Sequence, residues 1–155
     1  MPTSVPAPGQ LPQLPVTFRP TRTRIVLLSL GAALLAVLTV MALTLGTLNN
    51  GDRATFIGTG LLFFGVLATL SRPKVVAAED GVTVVNLATS RRLAWAQIVR
   101  VNLRAGDAWV HLDLADGTSL PAMGIQPGIA KEKAVADARA LRALVEAHGT
   151  GTSTT

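Results

Sequence analysis

Four arginines hold the densest candidate chemistry in this 155-residue sequence: Arg91 and Arg92 as a pair, then Arg100 and Arg104. Arg91 and Arg92 fall in a stretch that reads as a strand hairpin. Arg100 and Arg104 fall on the next predicted strand. An even spacing puts Arg100 and Arg104 on one face, with Asn102 between them. Guanidinium groups gathered at a membrane surface attract anionic lipid, by about 1 kcal/mol per charge. These four residues are therefore the candidate lipid or partner contact. The competing reading is a solvated sheet face on which they pair with Asp107 or Asp113 and contribute little.

Other chemistry is sparse. His111 and Asp113 share a strand face and could offer two metal ligands, but a site needs a third or fourth and the chain has no cysteine. Thr118 and Ser119 are the nearest hydroxyls, without the G-x-S-x-G turn that exposes a serine nucleophile. Gly58-Thr59-Gly60 lacks the lysine and flanking strand of a phosphate loop. Trp95, before Ile98, reads as a packing residue. Trp109 shares a face with His111 and Asp113. No catalytic residue, metal or cofactor is expected, and the chain reads as a non-enzyme.

The elements that must position these residues follow from periodicity. Alternating β-branched and polar residues predict six short strands, at about 74–78, 82–87, 91–95, 98–104, 108–114 and 118–122. Turn signals separate them, among them Asp80-Gly81 and Asp116-Gly117. A helix is expected over about 127–147, opened by Pro127 and stopped by Gly149. Ala130, Ala134, Ala138, Leu141, Leu144 and Val145 form its apolar stripe, which suits the cover of a single-layer sheet. The predicted fold is thus α+β: an antiparallel sheet or partial barrel closed by a C-terminal helix, over residues 73–148.

The rest of the chain is different in kind. It is 49% hydrophobic and only 15% charged, with mean hydropathy +0.45. Disorder is excluded by that composition. Two uncharged stretches hold the excess, at 25–48 and 54–70. A bilayer core of about 30 Å takes roughly 17 to 25 helical residues, so both are long enough to span. The first is too long and starts too late for a secretory signal. Asn49-Asn50-Gly51-Asp52-Arg53 reads as the turn between them. Small residues four apart suggest close helix packing: Ser29 and Ala33, Ala32 and Ala36, Ala54 and Gly58, Gly65 and Thr69. The predicted unit is a two-helix transmembrane hairpin over 21–72.

Arg19, Arg22 and Arg24 precede the hairpin, Arg72 and Lys74 follow it, and only Arg53 lies in its turn. That asymmetry predicts a multi-pass protein of the inner (plasma) membrane with both termini cytoplasmic. It also accounts for much of the net charge of +5, leaving no dense basic patch and no reason to expect a nucleic-acid partner. Residues 1–20 hold six prolines and read as a disordered leader; 149–155 read as a disordered tail.

Certain residues carry a family resemblance. Glu79-Asp80-Gly81-Val82-Thr83-Val84, then Ser90-Arg91-Arg92, Trp95-Ala96-Gln97-Ile98, Leu114-Ala115-Asp116-Gly117-Thr118 and Leu120-Pro121-Ala122 follow in order. With Phe18-Arg19-Pro20 and a two-span hairpin upstream, the pattern resembles the actinobacterial low-molecular-weight protein antigen family of bacterial pleckstrin-homology (PH) domain membrane proteins. That resemblance covers roughly residues 18 to 125. It implies a membrane-anchored PH-like fold and transfers no functional residue. The PH domains that hold inositol lipids use basic residues in their first hairpin, whereas the 79–81 turn is acidic here.

The expected role is a non-enzymatic interaction module at the cytoplasmic membrane surface, binding a protein partner or anionic lipid. The rival reading is an accessory subunit of a larger membrane complex, with the hairpin as its binding surface; a remote third is an enzyme, which would need convergent polar groups around His111.

Overall fold

The computed structural model describes residues 10–149. The chain divides into two compact units. Residues 21–72 form one; the segment up to Pro20 joins Pro73 onward to form the other.

The first unit is a pair of helices, α1 (Thr21–Thr44) and α2 (Asn50–Leu70). Both are long and apolar enough to cross a membrane. Both begin or end about four residues from the expected limits. The expected turn at 49–53 is instead the start of α2, because Asn49 caps it: its side chain accepts the Asp52 N–H at 2.9 Å, and the Asp52 carboxylate accepts the Asn49 N–H at 3.3 Å. This reciprocal box satisfies two donors that a helix start leaves open. The bend moves upstream, to residues 45–48.

The two helices approach at glycines other than those expected. A Cβ on Gly60 would lie 2.9 Å from Leu35 Cδ1, and one on Gly31 would lie 3.1 Å from Phe64 Cδ2. Gly58 and Gly65 face open space, so the spacing of small residues pointed to the wrong side of α2. Away from this seam the helices are uncovered: Leu43, Leu62 and Val40 are all more than half exposed.

Among the described residues the second unit contains seven strands, a short 3-10 turn at Trp95–Gln97 and one α-helix. Strands β1 (Val16–Phe18), β2 (Lys74–Ala78), β3 (Gly81–Val85) and β4 (Ser90–Leu93) form an antiparallel sheet in that order. Strands β5 (Ile98–Asn102), β6 (Val110–Leu114) and β7 (Ser119–Ala122) form a second. Helix α3 (Lys131–Gly149) closes the unit. The fold is the expected α+β arrangement of antiparallel PH-like sheets with a C-terminal helix.

The seventh strand is a departure from the expected leader. Leu14, Val16 and Phe18 alternate toward the core while Pro15 and Thr17 point out, so residues 14–18 do have an apolar face. Phe18 pairs with Val75 and is 4% exposed. The hairpin is therefore inserted between two neighbouring strands of one sheet. Residues 1–9 of the expected leader and 150–155 of the expected tail lie outside the described residues.

Two details join the sheets. Asn86 is buried just beyond β3; its Nδ2 donates to the Pro121 carbonyl at 2.8 Å, and its Oδ1 accepts the Met123 N–H at 3.1 Å. A side-chain amide here does the work of a strand's backbone. Gly124 follows, and a Cβ there would lie 2.6 Å from the Lys74 backbone, so only glycine permits that approach.

Helix α3 starts four residues later than expected, at Lys131. Ala134, Ala138, Leu141, Leu144 and Val145 are buried as one stripe and join the core with Val75, Val84, Leu93 and Leu112. Arg142 fixes the helix against β5 by donating from Nη2 to the Val101 carbonyl at 2.8 Å.

Candidate functional site

The four candidate arginines do not converge. Arg91 and Arg92 lie side by side on β4, an edge strand, and both are exposed. Neighbouring side chains on a strand point to opposite faces, so the pair cannot grip one ligand. Arg92 is ion-paired with Asp80 of the β2–β3 turn, the two side chains 70% and 60% exposed. Arg91 lies near enough to Asp116 to help hold its carboxyl below the ordinary value. The larger causes are the Thr118 hydroxyl at 2.6 Å and the Thr118 N–H at 2.9 Å, both donating to Asp116.

Arg100 and Arg104 do not share a strand face, contrary to expectation. Strand β5 ends at Asn102, and a bulge between Ile98 and Arg100 shifts its register. Arg104 lies in the following turn, where its N–H donates to Asp107 Oδ2 at 2.9 Å. That carboxylate holds the turn closed, and Gly106 takes the positive φ of +93° it needs. Arg100 sits opposite Asp113 in the ladder. Arg92 is thus ion-paired, Arg91 lies near Asp116 and Arg100 faces Asp113 across the ladder, while Arg104 meets Asp107 through its backbone N–H.

The outer face of β5 and β6 is a polar network. Asn102 Nδ2 donates to Asp113 Oδ2 at 2.5 Å, and His111 Nδ1 lies 3.9 Å from Asp107 Oδ2. Among the described residues no cluster of three or more His, Asp or Glu is arranged to hold a metal ion.

The two tryptophans differ. Trp95 is buried, and its Nε1 lies 3.1 Å from the Ala78 carbonyl and 3.2 Å from that of Glu79. Its ring stacks on His148 with centroids 4.6 Å apart, so the C-terminal turn of α3 rests on it. Trp109 is only half-buried.

A different basic grouping lies at the open end of the β1–β2 pair. The register Phe18–Val75 makes Arg19 and Lys74 the next residues along the two strands. Lys133 of α3 reaches the first of them, its Nζ donating to the Arg19 carbonyl at 3.1 Å and to Asp137 Oδ2 at 2.5 Å. Asp137 is largely desolvated, which raises its carboxyl above the ordinary value against the pull of Lys133. In the sequence Arg19 and Lys74 register only as flanks of the apolar runs. Their adjacency depends on a strand pair spanning 57 residues of separation between Phe18 and Val75.

Comparison with known proteins agrees with this geometry. Residues 72–144 match the family model described as bacterial PH domain. That match covers β2 to most of α3 and omits β1. The chain is also similar to the uncharacterized protein Rv1417 of Mycobacterium tuberculosis (strain ATCC 25618 / H37Rv), at 30% identity over 97 residues. The uncharacterized protein Mb1452 of Mycobacterium bovis matches equally, at 30% over 97 residues. These alignments cover 63% of this chain and 62% of each relative, so the chain spans less than two thirds of the curated relatives it matches. No solved structure matches it at a significant level.

Proposed function

We propose that this chain is a membrane-anchored PH-like interaction module of the actinobacterial low-molecular-weight protein antigen type. In this reading it is not an enzyme: it presents a surface to a protein partner or to anionic lipid. Residues 1–20, 21–72, 73–148 and 149–155 then serve as leader, anchor, module and tail, with β1 lent from the leader to the module.

The observation that carries the reading is the place and character of the hairpin. Two apolar helices, most of whose large side chains are uncovered, interrupt a sheet between β1 and β2. In water such a surface would be an aggregation hazard; in lipid it costs nothing. Strand pairing also supports the topology independently of charge. Phe18 and Val75 flank the hairpin on either side and share a ladder, which requires both flanks to occupy one compartment. The excess of arginine and lysine at those flanks favours the cytoplasm.

Reporter fusions after Leu48 and after Gly149 test this. A periplasmic reporter should be active only at the first site. Activity at the second, or release of the chain by alkaline carbonate, would overturn the reading.

A further inference from the structure

We propose that β4 is an open sheet edge that takes up an extended acidic segment of a partner protein as a further strand, with Arg91 and Arg92 reading two consecutive carboxylates. This rests on the interaction-module reading above and deepens it by naming the surface and the chemistry of the partner.

The two sheets leave four edge strands, β1, β4, β5 and β7. An edge offers unpaired N–H and C=O groups, and folds blunt it with proline, short length or a covering element. Three of these edges are blunted. Strand β1 is three residues long and lies between Pro15 and Pro20. Strand β5 packs against α3, with Arg142 on the Val101 carbonyl. Strand β7 contains Pro121, which has no N–H, and Asn86 holds the Pro121 carbonyl and the Met123 N–H. Strand β4 contains no proline, its strand neighbour is β3, and among the described residues of this unit no helix packs along it. Its Ser90, Arg91 and Arg92 are all exposed.

Charge selects the occupant. A second copy is disfavoured: β4 paired antiparallel with itself in full register sets Arg91 of one chain opposite Arg92 of the other, and like charges so placed repel. The alternation that bars the two arginines from one compact ligand suits a strand, because the side chains of an incoming strand alternate in the same way. Two adjacent Asp or Glu residues then meet Arg91 on one face and Arg92 on the other. The present carboxylate neighbours are exchangeable. Arg92 and Asp80 are 70% and 60% exposed, and a pair so solvated contributes little. Asp116 already accepts two hydrogen bonds from Thr118. The Val82–Leu93 pairing puts the acidic Glu79-Asp80 turn beyond the Leu93 end of β4, so a longer acidic run is repelled there and the match is to two carboxylates. Main-chain bonds then supply the affinity and the two arginines the choice of partner.

Fluorescence anisotropy with the full chain in detergent micelles and the blocked peptides TVEEVT, TVQQVT and TVKKVT measures that choice, and amide hydrogen exchange locates it. The first peptide should bind most tightly and slow exchange within Ser90–Leu93. Arg91→Gln with Arg92→Gln should weaken it about fivefold, as the loss of two cross-strand charge pairs implies. Arg91→Glu with Arg92→Glu should transfer the preference to TVKKVT, which separates charge from folding. Arg100→Gln with Arg104→Gln should change nothing. Equal binding of TVEEVT and TVQQVT would overturn the proposal, as would equal binding of an N-methylated TVEEVT, which lacks the strand's N–H donors. No peptide binding, with phosphatidylglycerol vesicles bound through Arg91 and Arg92 instead, would make these residues a lipid contact and overturn it too. Binding of none of the peptides, nor of such vesicles, would overturn the interaction-module reading as well.

Discussion

Asn86 binds the β7 segment at two points, donating to the Pro121 carbonyl at 2.8 Å and accepting the Met123 N–H at 3.1 Å. It is 7% exposed, so neither backbone group has water as an easy substitute. Replacing it by alanine leaves one buried donor and one buried acceptor unpaired. The expected loss is about 2–6 kcal/mol, at roughly 1–3 kcal/mol for each of the two orphaned groups. Thermal unfolding in detergent, read by tryptophan fluorescence, checks this. Asn86→Asp keeps an acceptor for Met123 but loses the donor to Pro121 and adds a buried charge, so it should be at least as harmful as alanine.

Strand β1 makes a second outcome predictable. Phe18 is 4% exposed in the core, and truncation of such a residue typically costs about 3–5 kcal/mol. A fragment starting at Pro73 should therefore be markedly less stable than one in which residues 10–19 are joined to 74–149 by a short glycine-rich turn. The antiparallel register of Phe18 and Val75 makes that turn feasible. Denaturant titration of the two fragments decides it; equal midpoints would show that β1 adds nothing.

Much of the PH-like unit was legible because it is built from local signals. Val82, Val84, Val110, Leu112 and Leu114 alternate as a half-buried sheet requires, and Asp-Gly marks two of the turns. The stripe from Ala134 to Val145 was equally plain. What stayed hidden was non-local. Leu14-Pro15-Val16-Thr17-Phe18 carries a period-two pattern, but prolines around it favoured a reading as open chain, and its partner strand lies beyond the hairpin. The end of β5 at Asn102 defeated the even-spacing argument for Arg100 and Arg104, because Arg104 falls in the turn beyond it. The turn at Asn49-Asn50-Gly51 was misplaced because Asn-Gly signals a break equally well when asparagine caps a helix.

The two carboxyls with displaced titration should behave oppositely. Asp116 is held below 3.8 by Thr118, so it contributes stability that is present above 3.8 and lost as pH falls through its folded value. Asp137 is held above 3.8 by desolvation, so its contribution is present below 3.8 and lost as pH rises through its folded value. Carboxyl NMR titration should find the two on opposite sides of 3.8. Lys133→Met should move Asp137 further upward and leave Asp116 where it is. A downward move of Asp137 would refute the assigned role of Lys133.

Gly58 and Gly60 lie two residues apart on α2 and should respond in opposite ways to added bulk. A Cβ at Gly60 would fall 2.9 Å from Leu35 Cδ1 and 3.3 Å from Leu35 Cα, so a branched side chain there must push the helices apart. At Gly58 nothing lies within 4 Å of the added atom, and removing a helical glycine favours the helix by about 1 kcal/mol. Gly60→Ile should therefore destabilise the hairpin while Gly58→Ile is neutral or stabilising. Close approach of α1 and α2 depends on the first site alone, because dispersion between packed helices falls off within an ångström of separation. Disulfide trapping reports that separation directly. With Cys introduced at Leu35 in a chain that has no cysteine of its own, crosslinking to a Cys at Thr59 or Leu61 should slow in the Gly60→Ile background and not in Gly58→Ile. If both substitutions slow it equally, α2 packs through its other face, and the seam of Gly31 and Gly60 is not the one that holds the hairpin together.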